Sequence, residues 1–145
     1  MGMYSSIEVS ASGLSAERLA MDVIANNLAN VNTTRTPEGG PYRRKDVVFE
    51  SDSSVGSFSS AFHSALDGNV EGVKVGETVV DNSEPERRYM PGHPDADKDG
   101  YVAYPKINPA EDMVDLLGAS RSYGANVAAI SAVKDMIQKS IDLFR

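Results

Sequence analysis

The sequence contains no cysteine and only two histidines. Without cysteine the chain has no disulfide bond and no thiolate nucleophile, so its fold suits either redox compartment. A zinc site would have to draw on carboxylates from unspecified positions, because Cys and His are the usual ligands. Neither His63 nor His93 lies beside a serine in a recognisable catalytic frame, and we interpret both as exposed loop residues. We therefore expect no enzyme activity and no cofactor.

Long apolar runs are also missing. No stretch approaches the roughly 20 apolar residues that cross a bilayer, so we expect no direct membrane insertion. The N-terminal residues MGMYSSIEVSASG have no basic start followed by an apolar run. The sequence therefore predicts no cleaved secretory signal peptide, and export would need another route.

Positive charge is scarce. The chain has a net charge of −7, and most of the acidic excess falls in residues 37–107. Nonspecific nucleic-acid binding needs cations that face phosphates, so nucleic acid is not an expected partner. A hydrophobic content of 41% is ordinary for a folded protein, and 145 residues suit one domain or a small domain with long appendages.

A helical pattern occupies the N-terminal end. A capping box at residues 5–8 precedes apolar residues that recur every seven positions, which predicts a helix over residues 5–31. Gly13 is the weak point of this pattern. The apolar stripe consists of Ile7, Leu14, Met21 and Leu28, with Ala11, Ile24, Ala25 and Val31 filling in at spacings of three and four.

A stronger helical pattern occupies the C-terminal end. Asn108 and Pro109 supply an N-cap and a first-turn proline, which predicts a helix over residues 109–143. Lys139 falls where the helix dipole favours a cation. Its apolar stripe consists of Met113, Leu116, Tyr123, Val127, Ile130, Val133, Ile137, Ile141 and Phe144. A seven-residue repeat of this length suits packing against other helices, within one chain or between chains.

The middle of the chain is different material. Its pattern predicts a strand at residues 47–49, a mobile serine-rich segment at 51–60, a turn at Asp67-Gly68, a strand around Val73–Val79 with a bulge at Gly76, and a strand at 101–107. The predicted fold is mainly α with a small β-rich insert: long N- and C-terminal helices packing as a coiled-coil-like pair around an irregular middle segment. The predicted domains are residues 1–36, 37–107 and 108–145.

The segment Asp95-Ala96-Asp97-Lys98-Asp99-Gly100 matches the opening of a calcium-binding EF-hand loop. Position 12 of such a loop should be a bidentate glutamate, but Lys106 stands there, and no helix enters the loop. The favoured interpretation is an acidic turn that leads into the 101–107 strand. A small calcium-responsive binding module remains the alternative function.

The basic run Arg43-Arg44-Lys45 has two open interpretations. It is either a solvated loop or a contact for an acidic insert on a neighbouring subunit.

Several segments together carry a family resemblance. ASGLSAERLAMDVIANNLANVNTT resembles the N-terminal signature of bacterial flagellar rod and hook proteins. The resemblance narrows to the bacterial flagellar basal-body rod proteins, and among them to the proximal rod proteins of the FlgC type. The segments that narrow it are GGPYRRKDVVF, MPGHPDADKDGYVAYP and SRSYGANV. Gly124 departs from the family pattern, which has a longer polar residue there. It either weakens the helix or permits a close helix contact.

This resemblance implies a structural subunit of the proximal rod, without cofactor or metal. Family members join their terminal helices into a shared helical core, with the middle segment outward, and the rod transmits torque from motor to hook. The implied partners are other copies of the chain, other flagellar rod proteins, the rod-to-membrane-ring adaptor protein and, during secretion, the flagellar export apparatus. The implied location is the periplasmic rod of the basal body.

Asparagines crowd the end of the first predicted helix at positions 26, 27, 30 and 32. Burial of Asn26, Asn27 and Asn30 between subunits would let their amides fix the register of packed helices. Alternatively, the amides face water and only terminate the helix, which is the interpretation we favour for Asn32.

Overall fold

A computed structural model describes residues 3–52 and 72–143 of the chain. In these ranges two long helices enclose four short strands in sequence order. The elements are α1 (Met3–Ala29), β1 (Lys45–Asp52), β2 (Gly72–Val80), β3 (Glu86–Tyr89), β4 (Tyr101–Tyr104) and α2 (Pro109–Asp142). The predicted fold class, mainly α with a small β-rich insert, is confirmed. The division into three domains stays a prediction.

Helix α1 begins at Met3, two residues before the predicted capping box, and ends at Ala29. Asn30 caps its last turn, because its backbone N–H and its side-chain Nδ2 both donate to the carbonyl of Asn26, at 3.2 and 2.9 Å. Thr33 then donates from Oγ1 to Oδ1 of Asn30 at 3.1 Å. Polar side chains thus take up backbone and side-chain groups that the helix end leaves unpaired.

Helix α2 follows its predicted start closely. Oδ1 of Asn108 accepts a hydrogen bond from the backbone N–H of Ala110 at 3.2 Å, and Pro109 occupies the first turn. Lys139 lies in the last turn, where the dipole favours it. The helix ends at Asp142, one residue before the predicted end.

Strands β1 and β2 form an antiparallel pair with a bulge. Val48 lies opposite Glu77 and Phe49 lies opposite Val75, so Gly76 has no partner across the pair. This confirms the predicted bulge. A Cβ atom at Gly76 would meet only the side chain of Glu50, whose flexible exposed end can move aside.

Strands β3 and β4 form a second, separate antiparallel pair. Strand β4 ends before Pro105, so it is shorter than the predicted 101–107 strand. Strand β3 was not predicted, because its four residues are all exposed and three of them are charged, which leaves no apolar alternation. Arg88 packs its guanidinium 4.9 Å above the ring of Tyr104, and this contact ties the two strands together.

The two helices pack against each other in antiparallel directions. Midway along the pair, a Cβ atom built on Gly13 would lie 3.0 Å from Nδ2 of Asn126. At one end, Asn27 of α1 binds the backbone beside Arg44, and Arg44 reaches Asp112 at the start of α2. The buried apolar residues of the described ranges are Ala16, Ala20, Val102 and Val133.

Some predictions fall outside the described residues. These are most of the serine-rich 51–60 segment, the turn at Asp67-Gly68, His63 and Phe144.

The close approach at Gly13 makes a first prediction. Gly13→Leu should force the helices apart, because overpacking a close contact costs about 1–3 kcal/mol. Gly124→Leu is the matched control, since a Cβ atom at Gly124 meets no atom within 4 Å in the described structure and leucine is the better helix former. Urea unfolding followed by far-ultraviolet circular dichroism should show a lower midpoint for Gly13→Leu only. Equal midpoints for the two variants would contradict the close approach.

Candidate assembly interface

Helix α1 turns a stripe of small residues toward α2. Gly13, Ala16, Ala20 and Asn27 are spaced by three, four and seven residues and therefore share one face of the helix. Ala16, Ala20 and Asn27 are buried. Small side chains let two helix backbones approach closely, since the interaxial distance depends on the side chains at the contact.

Helix α2 meets this stripe with positions spaced alternately by four and three residues, the spacing of a coiled-coil seam. All of these positions are buried or half-buried, and they include the predicted residues Leu116, Tyr123, Ile130 and Ile137. The complete seam is Asp112, Leu116, Ala119, Tyr123, Asn126, Ile130, Val133 and Ile137.

The larger apolar residues of α1 lie to one side of this contact. Leu14, Met21 and Leu28 each follow a position of the small-residue stripe by one residue, so they lie about 100° around the helix from it. They and Ile24 are half-buried. The predicted α1 stripe was built on the large apolar residues, whereas the signal for the contact between the helices is the spacing of Gly13, Ala16 and Ala20.

The outer surface of α2 is apolar over much of its length. Among the predicted residues, Met113 is 56% exposed, Val127 43% and Ile141 61%. Val114, Leu117 and Met136 are exposed as well and were not predicted. Between Asp115 and Lys134 the only charged residue is Arg121. A helix that is apolar on several sides is typical of one that is covered by other protein.

Neither helix in the described ranges has an apolar window sufficient to span a membrane.

Asn27 is 1% exposed, and its side-chain amide forms two hydrogen bonds with the Lys45 backbone, as the backbone of a neighbouring β-strand would. Nδ2 donates to the backbone carbonyl of Lys45 at 2.8 Å, and the backbone N–H of Lys45 donates to Oδ1 at 3.0 Å. The hydroxyl of Tyr42 also donates to Oδ1, at 3.1 Å. Asn27 therefore joins the end of α1 to the first residue of β1 within the same chain.

The other asparagines have different surroundings. Asn30 is half-buried and uses its amide for the helix cap described above, whereas Asn26 and Asn32 are exposed. Of these four asparagines, only Asn27 is fully buried in the single chain. The roles of Asn26, Asn27 and Asn30 in assembly stay a prediction.

A charged cluster lies beside Asn27. Nη2 of Arg44 lies 3.3 Å from Oδ1 of Asp112 and 3.9 Å from Oδ2 of Asp115, and Nε lies 3.0 Å from Oδ1 of Asp46. Asp112 is 0% exposed, and neither of its carboxylate oxygens accepts a hydrogen bond from the described residues. Burial raises the pKa of Asp112, and the nearby Arg44 opposes that rise.

This cluster corrects the interpretation of the basic run at residues 43–45. Arg44 is not a solvated loop residue, because carboxylates at the start of α2 pair with it in its own chain. A contact between the basic run and a neighbouring subunit stays a prediction. Arg43 donates from Nη1 to Oδ1 of Asn82 at 2.6 Å. Asp112 and Asp115, three positions apart in the first turns of α2, indicated in the sequence that a cationic side chain would pair with them. They did not indicate which cationic residue it would be.

The DADKDG segment forms a turn that leads into β4. Oδ1 of Asp97 accepts hydrogen bonds from the backbone N–H groups of Asp99 and Tyr101, at 2.9 and 2.8 Å. Gly100 has a φ of +80°, in the region that favours glycine. Asp95 points elsewhere and accepts a hydrogen bond from Oγ1 of Thr34 at 2.8 Å. In the part of the chain that the structure describes, no three acidic or histidine side chains form a metal-holding group.

The interpretation of His93 as an exposed loop residue is corrected. The residue is half-buried. Its Nδ1 accepts a hydrogen bond from the backbone N–H of Asp95 at 3.1 Å, and its ring centre lies 6.5 Å from that of Tyr104. His93 therefore shapes the turn before β4.

Comparison with known proteins places both helices in recognised families. The family model described as "Flagella basal body rod protein" matches residues 7–35, and the one described as "Flagellar basal body rod FlgEFG protein C-terminal" matches residues 98–143. The flagellar basal-body rod protein FlgC of Borreliella burgdorferi is 42% identical over 100% of this chain and 99% of its own length. The FlgC proteins of Bacillus subtilis and Salmonella typhimurium are 43% and 36% identical, each over 99% of this chain, and over 99% and 98% of their own lengths.

The packed terminal helices and the β-rich insert, together with these matches, define a flagellar basal-body rod protein. Because the similarity extends over the full chain, the chain belongs to the FlgC family of these proteins. The predicted function, a structural rod subunit and not an enzyme, is confirmed. The chain assembles with other flagellar rod components in the flagellum basal body.

The Asn27 amide makes a second prediction. Asn27→Leu should leave the N–H and C=O groups of Lys45 without their side-chain partner in a partly buried place, at up to about 1–3 kcal/mol each. We expect the variant to be made and exported, yet to give few complete rods and poor swimming in soft agar. Asn32→Leu is the control and should be milder, because Asn32 is exposed. Normal swimming with Asn27→Leu would show that the amide bridge is dispensable.

The buried carboxylate makes a third prediction. Arg44→Gln should leave Asp112 charged and uncompensated, which costs about 3–5 kcal/mol for a buried pair. Asp112→Asn in the same chain should restore most of the lost stability. The pKa of Asp112 is higher in the folded chain than in the unfolded chain. Its negative charge therefore lowers the free energy of unfolding at neutral pH. This destabilisation is lost as the pH falls through the folded-state pKa and the carboxylate takes up a proton.

Urea midpoints at neutral and mildly acidic pH would measure both effects. The gap between Arg44→Gln and the unaltered chain should narrow at the lower pH. A gap that is the same at both pH values, or that Asp112→Asn fails to close, would show that Arg44 does not act through this carboxylate.

Proposed function

We propose that the chain is a subunit of the proximal rod and that its helix pair forms part of a shared helical core. Neighbouring copies and other rod proteins cover the apolar surfaces that the single chain leaves open. The observation that carries this proposal is the exposure of large apolar residues along α2, beside the half-buried stripe of α1. Covering such residues stabilises an assembly by roughly 25 cal/mol per Å² of apolar surface removed from water.

The predicted assembly residues then have two kinds of role. One group holds the chain's own helix pair and its connection to β1: Asn27, Asn30, Leu116, Tyr123, Ile130 and Ile137. The other group contacts neighbouring subunits: Leu14, Met21, Ile24, Asn26, Leu28, Met113, Val127 and Ile141. The division follows position as well as burial: the first group lies in the contact between the helices or at the end of α1, and the second lies beside that contact or is exposed.

The partners in this proposal are other copies of the chain, other rod proteins, the rod-to-membrane-ring adaptor protein and, during secretion, the flagellar export apparatus. The rod lies in the periplasm, and the subunit reaches it unfolded and without a cleaved signal peptide. A chain without cysteine has no covalent cross-link to undo before such passage. In residues 3–52 and 72–143 few apolar side chains are fully buried, which favours ready unfolding because little buried surface opposes the entropy of the unfolded chain.

In the assembled rod the helix pairs carry torque from the motor to the hook, and residues 37–107 face outward. The Asn27 bridge and the Arg44 ion pairs support this role, because they join the middle segment to both helices.

The test is a charge on the outer surface of α2. Leu117→Glu changes a 52% exposed residue, so the single chain should fold and be exported normally. Packing against a neighbour would bury the new carboxylate without a partner, which is strongly unfavourable. We expect little of the variant in isolated basal bodies and a loss of swimming.

Gln138→Glu is the matched control, because it adds the same charge at an exposed polar position of the same helix. Incorporation of Leu117→Glu at the level of Gln138→Glu would contradict packing through this surface.

A further inference from the structure

A basic pocket lies at the base of the β3–β4 hairpin, where the chain enters β1, leaves β2 and leaves β4. Its volume is about 90 Å³. The charged and polar side chains that line it are Arg43, Arg44, Asp81, Ser83 and Lys106.

The pocket is lined by three cationic side chains and one carboxylate. Arg44 is occupied by the carboxylates of the cluster described above. Asp81 keeps its negative charge in the pocket: it accepts hydrogen bonds from the backbone N–H and the hydroxyl of Ser83, at 2.8 and 2.9 Å, and Lys106 and Arg44 attract it at longer range. Arg43 and Lys106 are exposed and form no ion pair with the described residues. The pocket therefore suits an incoming carboxylate, which would meet two cations at once.

An unpaired acidic side chain lies at the opposite end of the same hairpin. Asp97 is engaged in the turn before β4, but the exposed carboxylate of Asp99 has no ion pair or hydrogen bond within the described residues. The four residues of β4 separate Asp99 from the pocket, a span of about 10 Å or more in an extended strand. Asp99 therefore cannot reach the pocket of its own chain.

We propose that the pocket is a docking site for a second copy of the chain, and that Asp99 of one copy enters the pocket of its neighbour between Arg43 and Lys106. This inference rests on the proposed function, which brings copies side by side in the rod. The two surfaces are different, so the contact is head-to-tail and repeats from copy to copy. The acidic turn thereby acquires a role as a subunit contact.

Cysteine cross-linking tests the contact directly, because the chain has no cysteine of its own. Basal bodies isolated from cells that produce Asp99→Cys/Lys106→Cys should, on mild oxidation, contain disulfide-linked dimers and larger multimers of the chain. A bridge within one chain is excluded when the Cα atoms lie more than about 7 Å apart. Asp99→Cys alone and Lys106→Cys alone are the controls, because the proposed contact joins the two different positions; each should give no multimers larger than a dimer.

Incorporated double-cysteine protein that remains monomeric would overturn the contact while leaving the proposed function intact. Failure of the proposed function would instead appear as absence of the unaltered chain from basal bodies.

A charge exchange decides the matter if the double-cysteine protein is not incorporated. Asp99→Lys and Lys106→Asp should each reduce swimming, and the two changes together should restore it. Loss of swimming without restoration in the combined variant would overturn the contact.

Discussion

The pair of hydrogen bonds between the Asn27 side chain and the backbone of Lys45 determines how the rest of the chain is arranged. It places the start of β1 against the last turn of α1. The next residue back, Arg44, is thereby directed at Asp112 in the first turn of α2. Three elements that are distant in sequence therefore meet at one polar junction, and the antiparallel alignment of the helices follows from it.

The helix contact itself contributes little apolar burial. On the α1 side, Gly13, Ala16 and Ala20 bring the backbones together but remove little side-chain surface from water, and Leu14, Met21 and Leu28 lie half-buried beside the contact. The helices are then stabilised by the neighbouring subunits that cover those residues, because a partner that binds only the folded form shifts the equilibrium toward it. A chain of this kind combines a weak single-subunit core with a strongly stabilised assembled state.

The sequence predicted those features that depend on neighbouring residues. The Asn108 cap, the extent of α2 and the bulge at Gly76 all follow from local backbone chemistry and were confirmed. It could not predict the Arg44–Asp112 pair, because the partners are far apart in sequence and several acidic residues were equally suitable.

Strand β3 was missed for a different reason. It has no buried face, so its charged residues carry no alternation. At the candidate interface, the apolar members of the α2 seam other than Ala119 were in the predicted stripe, whereas Asp112, Ala119 and Asn126 were not. The inner face of α1 was not predicted, because alanine and glycine carry a weaker hydrophobic signal than leucine. Which predicted residues meet neighbours depends on chains that one sequence does not contain.

The antiparallel alignment has an electrical consequence. Each helix carries the equivalent of roughly half a positive charge at its N-terminus and half a negative charge at its C-terminus. In this pair the negative end of α1 lies beside the positive end of α2, so the two macrodipoles largely cancel. Single helices set side by side in one direction would repel through their aligned dipoles. Subunits that are already paired in opposite directions can stand in a dense array, all pointing the same way along a shaft, without that repulsion accumulating.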